Sequence, residues 1–163
     1  MESIKALLSL VSCLIFLGVT SLAGAVTIAP PGVNFSAAGI ISITSPDFFN
    51  VPFPCNVNIY GAVAPDGSKA LISNFSINGS SPPCTVGNAL TLPWNLYFPT
   101  VAAGTVSKMN LRFVNYCSPI PVTINVIWDN STNTLSIPSS QPVGKCKITV
   151  LSVQPTPRLT VSP

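Results

Sequence analysis

Four cysteines, three aspartates and a complete lack of histidine set the chemistry open to residues 26–163 of this 163-residue chain. Cys55 and Cys84 stand at the same spacing as Cys117 and Cys146, and each pair brackets two apolar runs joined by a turn. The pattern reads as two cysteine-closed β-hairpins, an architectural signal and not a catalytic one. An even cysteine count in an exported chain reads as disulfides, and four cysteines permit three connectivities. The hairpin argument favours Cys55 with Cys84 and Cys117 with Cys146. Closing loops of this length stabilises the fold by roughly 3 to 4 kcal/mol each in the chain-entropy model. Zinc is disfavoured, because no two cysteines have the close spacing of a metal knuckle and no histidine can join them.

Nucleophilic catalysis of the Ser-His-Asp or Cys-His type needs an imidazole base, which the chain lacks. Asp47, Asp66 and Asp129 are the side-chain acids after residue 25, and Asp66 and Asp129 fall in turns, where aspartate ordinarily bonds to backbone. A carboxylate pair for acid–base work is therefore not expected. Asp129, Ser131 and Asn133 offer alternate oxygens like the start of a calcium loop, but the glycine and the distal glutamate are missing, so the stretch reads as a hydrophilic hairpin turn. There is no glycine-rich phosphate loop. The basic residues are scattered and make no stripe for nucleic acid. The expectation is a non-enzyme with no catalytic, cofactor-binding or metal-ligating residues.

The elements that would position the cysteines follow from period-two patterning. Val122, Ile124, Val126 and Trp128 alternate with polar neighbours, and Leu135 and Ile137 return after a polar turn. With Trp128 facing Leu135, Val126 faces Ile137 and Cys117 falls opposite Cys146, the cysteines on the face away from the apolar side chains. Earlier, Val57, Ile59 and Val63 face Leu71, Phe75 and Ile77 across Pro65, Asp66 and Gly67, a turn in which proline fixes φ and glycine accepts positive φ. Cys55 then sits opposite Gly79, and Cys84 must come back through Ser80, Ser81, Pro82 and Pro83.

Phe35, Ala37, Gly39, Ile41 and Ile43 give a first strand weakened by small residues, after an extended lead at Pro30, Pro31 and Gly32. Leu90, Leu92, Trp94, Leu96 and Phe98 read as one strand with an edge or bulge at Pro93. Val106, Met109, Leu111 and Phe113 give another, and Ile148, Val150 and Val153 a last long one, with Leu159 and Val161 adding a short piece. The count is eight or nine strands, with no helical period after the amino-terminal segment. Many short strands with Pro and Gly turns point to an all-β fold, an antiparallel β-sandwich with a small β-barrel as the alternative. Between the first two long strands, Phe48, Phe49 and Phe53 stand in a proline-rich loop. They form either a lid over the core or an exposed apolar contact.

Residues 1–25 read as a signal peptide: Lys5 precedes an apolar run from Ala6 to Leu22, and Ala23, Gly24 and Ala25 suit the cut. Leu10 to Cys13 resembles a lipobox, but the apolar run before Cys13 is short and more apolar sequence follows, so Cys13 is expected to leave with the peptide. Residues 26–163 then form a single secreted β-domain with no transmembrane span. Charged residues make up 7% of the chain, against an ordinary value of about 25%. So little charge favours exposed apolar area, self-association, or contact with a hydrophobic phase or cell surface. Asn34, Asn74, Asn78 and Asn130 each begin an Asn-x-Ser/Thr pattern, which a chain rich in these residues also produces by chance.

From about residue 34 to 161 the chain resembles the PraB family of secreted bacterial proteins, described as protein activators of alkane oxidation. The likeness rests on Phe35, Ser36, Ala37 and Gly39; on Pro54 and Cys55; on Gly61, Ala62 and Val63 ahead of Asp66 and Gly67; on Cys84; on Leu92, Pro93 and Trp94; and on Trp128, Asp129 and Asn130. It implies an extracellular, non-enzymatic accessory protein that helps cells contact or use hydrophobic substrates such as alkanes, acting at the oil–water surface. The alternative is a structural subunit of an extracellular fibre or biofilm matrix, for which sheet edges and low charge favour ordered self-association.

Overall fold

The computed structural model describes residues 25–163, so the signal-peptide segment up to Gly24 and Cys13 lie outside the described residues. Among the described residues there are twelve strands: β1 (Thr27–Ala29), β2 (Asn34–Thr44), β3 (Phe53–Val63), β4 (Ala70–Asn78), β5 (Asn88–Leu90), β6 (Trp94–Tyr97), β7 (Ala103–Arg112), β8 (Val122–Asp129), β9 (Thr134–Ser136), β10 (Gln141–Val143), β11 (Cys146–Thr156) and β12 (Thr160–Ser162). Every pairing is antiparallel. The main sheet runs from β11 through β2, β3 and β4, across β5 and β6, to β7, β8 and β9, and returns to β11. It is thus a closed eight-stranded antiparallel barrel with extra strands. Of the two arrangements the sequence leaves open, the barrel is the one adopted in place of the sandwich.

Closure follows from two devices. Pro93 breaks the expected Leu90–Phe98 strand, and its halves fill one place in the wall between β4 and β7: β5 pairs Ser76 and Arg112, β6 pairs Ile72 and Ser107. The break is therefore interior and not at a sheet edge. At the seam, β9 pairs both β8 and β11, but the ladder to β8 stops at Ser136, so the expected Val126–Ile137 pair does not form. Below that point a side chain bridges the gap, the Asn125 N–H donating to Gln141 Oε1 at 3.0 Å.

Two bulges correct the expected inward sets. The register shift between Tyr60 and Gly61 leaves Leu71 half-buried and brings Ile72 inside. The shift between Ile148 and Val150 turns Val150 out and Leu151 in. A bulge exchanges faces because side chains alternate with period two. The Trp128–Leu135 pair and the Val57–Ile77 and Ile59–Phe75 pairs form as expected.

The strand ends define two ends of the barrel. At one, β1 and β12 pair as a ribbon that lays Ile28, Leu159 and Val161 over the barrel mouth. Beneath it lies an apolar void of about 20 Å³ beside Phe35, Phe98, Trp128 and Val153, far below the roughly 300 Å³ at which small-molecule pockets begin. The barrel interior is thus filled by side chains. At the other end lie both disulfides. No helix among the described residues is long and apolar enough to cross a membrane.

Candidate contact surface at the disulfide end

The bridges pair Cys55 with Cys84 and Cys117 with Cys146. Cys55 leaves β3 beside Gly79, and Cys84 returns on a single helical turn, α1 (Pro82–Val86), which the strand pattern did not signal. Cys117 is reached differently from the expected ladder. It sits in the β7–β8 loop, folded back so that its N–H donates to the Leu111 carbonyl at 2.9 Å, and it meets Cys146 at the start of β11. All four cysteines are buried in the core, which corrects the expectation that Cys117 and Cys146 face away from the apolar side chains. The bridges tie the loops of this end to the barrel wall.

Phe48 and Phe49 lie in the β2–β3 loop, whereas Phe53, expected in the same loop, opens β3 and pairs with Ile43. Phe53 is buried and Phe48 half-buried, and both meet Phe113 edge-on, with ring centroids 5.3 and 6.3 Å away. This packing geometry is favourable for aromatic quadrupoles. Phe48 and Phe53 therefore form the lid. Phe49 is 91% exposed, and its φ of 56° is rare for a bulky residue. The loop enforces that conformation: Ser45 caps a 3-10 turn over Pro46–Phe48, and the Phe49 and Asn50 N–H groups donate to the carbonyls of Pro46 and Ser45. A fixed backbone thus holds an aromatic side chain in solvent.

Asp47 joins this loop to the β7–β8 loop. Its carboxylate accepts from the Asn115 N–H at 2.9 Å and from Asn115 Nδ2 at 2.7 Å. These bonds, chiefly, hold its pKa below the ordinary value of 3.8, with a smaller contribution from the charge of Lys145. On either side of the clasp stand exposed apolar residues that sequence reasoning missed: Val51, Val114 and Ile120, exposed by 61, 66 and 67%. Their signal was apolar residues set in loops beside proline or asparagine. Exposed apolar residues on the wall differ, because their ladder partners are small or polar: Ile40 faces Asn56 and Ser152, Tyr60 faces Ser36 and Asn74, and Val150 faces Ser42.

Each aspartate is engaged by its own set of hydrogen-bond donors. Asp66 accepts from the N–H and hydroxyl of Ser68 in its turn, which lowers its pKa. Asp129 accepts from the Ser131 N–H and from the hydroxyls of Ser131 and Thr132, and these bonds lower its pKa to about 2. Asn133 points elsewhere, binding the Pro155 carbonyl and the Leu159 N–H, so the three alternate oxygens do not converge. Among the described residues no group of three or more metal-ligating side chains assembles.

A disulfide-bonded antiparallel barrel with a filled interior and an apolar, rigidly presented end is the class of protein these features define. The chain belongs to the alkane oxidation protein activator PraA/PraB-like family, whose model matches residues 1–163, the whole chain. Neither a curated protein nor a solved structure matches it. Several residues that carried the resemblance have structural work. Trp94 is fully buried against Phe75, and Trp128 Nε1 donates to Asn130 Oδ1 at 2.7 Å.

Proposed function

We propose that this protein is an exported, non-enzymatic accessory protein that promotes the use of hydrophobic substrates such as alkanes by meeting their surface with the disulfide end of the barrel. The observation that carries this reading is the presentation of Phe49, Val51, Val114 and Ile120 in solvent on two loops clasped by Asp47 and Asn115. Apolar groups grouped on a rigid support gain about 25 cal/mol per Å² on leaving water and lose little conformational entropy in doing so. The filled interior favours contact at a surface over uptake of a chain into the barrel. Disulfides suit an oxidising, extracellular setting, and the family's description as activators suits a protein that assists a reaction performed elsewhere.

The alternative of a fibre or matrix subunit called on open sheet edges. Barrel closure leaves few of them, so it ranks second. The interfacial tension of hexadecane over purified residues 26–163 tests the proposal, with oxidised and reduced protein and a charge-matched β-protein as control. A fall specific to the oxidised form supports it. No fall beyond the control removes the surface-active reading.

A further inference from the structure

The fold sorts charges that stand scattered in the sequence. Lys69 lies in the β3–β4 turn and Arg158 between β11 and β12, both at the ribbon end of the barrel. That end also holds Asp66, whose turn sets the Gly67 carbonyl on the Ile28 N–H, and Asp129, beside the Asn130 that binds Val161. Its charges balance. At the disulfide end they do not: Arg112 closes β7, Lys145 stands in the β10–β11 turn, and Lys147 pairs with Thr44 next to the Ser45 cap. Among the described residues Asp47 is the acid of that end, and its carboxylate is held by Asn115. Lys108 sits at the β7 bulge, between the two ends. The positive excess is therefore gathered where Phe49, Val51, Val114 and Ile120 stand in solvent.

Arg112 and Lys147 belong to strands, whereas the apolar tips belong to the loops beyond them, so the cations stand behind the tips along the barrel axis. Lys145 and Lys147 are exposed. The Lys145 N–H donates to the Cys117 carbonyl at 2.8 Å, which fixes its turn to the β7–β8 loop. The Arg112 guanidinium lies over the ring of Tyr116, 5.8 Å from its centroid, and Tyr116 is itself exposed.

This layering selects a surface. Long Lys and Arg side chains keep their charge at headgroup level while apolar neighbours go deeper, and tyrosine favours the same boundary layer. Bare alkane has no headgroup for the cations to meet. Nucleic acid would meet them but leave the tips in water. An apolar phase covered by anionic headgroups answers both, since apolar burial and attraction to anionic lipid add. A bilayer packs its headgroups closely, whereas the layer on a droplet is interleaved with oil, which loop tips reach at less cost. We infer that the disulfide end docks on alkane droplets coated with an anionic amphiphile, the tips entering the oil while Arg112, Lys145 and Lys147 meet the headgroups. The inference rests on the contact proposed above and names the kind of surface it selects.

The test measures uptake of the oxidised protein by hexadecane droplets that are bare or coated with phosphatidylglycerol, with phosphatidylcholine or with a cationic dialkylammonium lipid, and by phosphatidylglycerol vesicles. The droplets coated with phosphatidylglycerol are expected to take up more than about tenfold as much as those with phosphatidylcholine, a few cations each contributing about fivefold. Raising the salt from about 0.01 M to about 1 M, which shortens the screening length from about 30 to about 3 Å, is expected to abolish the preference. Lys145→Gln and Lys147→Gln are each expected to lower uptake by about fivefold. Lys69→Gln, an equal change of net charge at the ribbon end, is expected to stay within about twofold of the parent. Equal uptake by the phosphatidylglycerol and phosphatidylcholine droplets, or an equal loss in Lys69→Gln, would overturn the inference. Stronger binding to the vesicles than to the droplets would also overturn it and assign this end to a bilayer. If bare droplets still take up the protein in those cases, the contact at the loop tips stands without the inference; no uptake by any droplet removes both.

Discussion

The carboxylate of Asp47 accepts both the backbone N–H and the side-chain amide of Asn115, at 2.9 and 2.7 Å, and so clasps two loops that are far apart in the chain. The clasp is pH-dependent. Because the pKa of Asp47 in the folded protein lies below 3.8, its contribution is complete above that value and is lost as the pH falls through the lowered pKa. The Asn115 side-chain amide is expected to keep its bonded NMR shift at pH 5 and lose it only below pH 3.8. A midpoint at or above 3.8 would remove the clasp.

Each bridge fixes one of the loop systems at the same end of the barrel. Replacing Cys117 and Cys146 together by alanine is expected to lower unfolding stability by about 3 to 4 kcal/mol, since the loop it closes is long. Urea unfolding followed by tryptophan fluorescence measures this directly. A loss under about 1 kcal/mol would mean that the loop is held by its packing and not by the bridge.

Gly39 was legible only as a weakness in the first strand, and the barrel gives it a use. A Cβ there would run into the Ser152 carbonyl and lie 2.7 Å from the Val153 Cα on β11. Both contacts are backbone, so neither can swing aside. Gly39→Val should cost about 3 kcal/mol or prevent folding, whereas Ala38→Val, exposed on the wall one residue earlier, should stay within about 0.5 kcal/mol of the parent. Thermal unfolding of the pair separates close backbone packing from a general intolerance of larger residues in β2.

Asn130 pins the carboxyl-terminal strand. Its Oδ1 accepts from Trp128 Nε1 and from the Val161 N–H, and its Nδ2 donates to the Val161 carbonyl at 2.8 Å. Of the four Asn-x-Ser/Thr positions, this one has its amide nitrogen engaged in the fold, whereas Asn34, Asn74 and Asn78 are exposed. Asn130→Ala is expected to cost about 2 kcal/mol, because a part-buried indole N–H loses its acceptor. Faster hydrogen exchange at Val161 would mark release of the ribbon, and unchanged exchange there would contradict this role.

The sequence made visible what depends on local alternation and turn chemistry. Trp128 faces Leu135, Val57 faces Ile77, and the Pro65–Gly67 turn joins β3 to β4, all as the period-two pattern requires. It did not reveal closure. That depends on bulges at Gly61 and Val150, on the break at Pro93 and on the Gln141 side chain at the seam, each of which reads locally as an irregularity. The candidate surface was half legible. Three phenylalanines in one loop stood out, but their separate fates depend on Phe113 from another loop, and Val114 and Ile120 acquire their surroundings only when the chain folds back at Cys117.

The most direct measurement compares adsorption at a hexadecane–water interface for the oxidised parent, for Phe49→Ser with Ile120→Ser, and for Ile40→Ser with Tyr60→Ser. All four side chains are exposed apolar groups, the first two at the disulfide end and the others on the barrel wall. The expected result is a marked loss of adsorption for the loop-tip variant alone, with unfolding stability unchanged in both. Equal adsorption by all three proteins, or a loss confined to the wall variant, would contradict contact through the disulfide end.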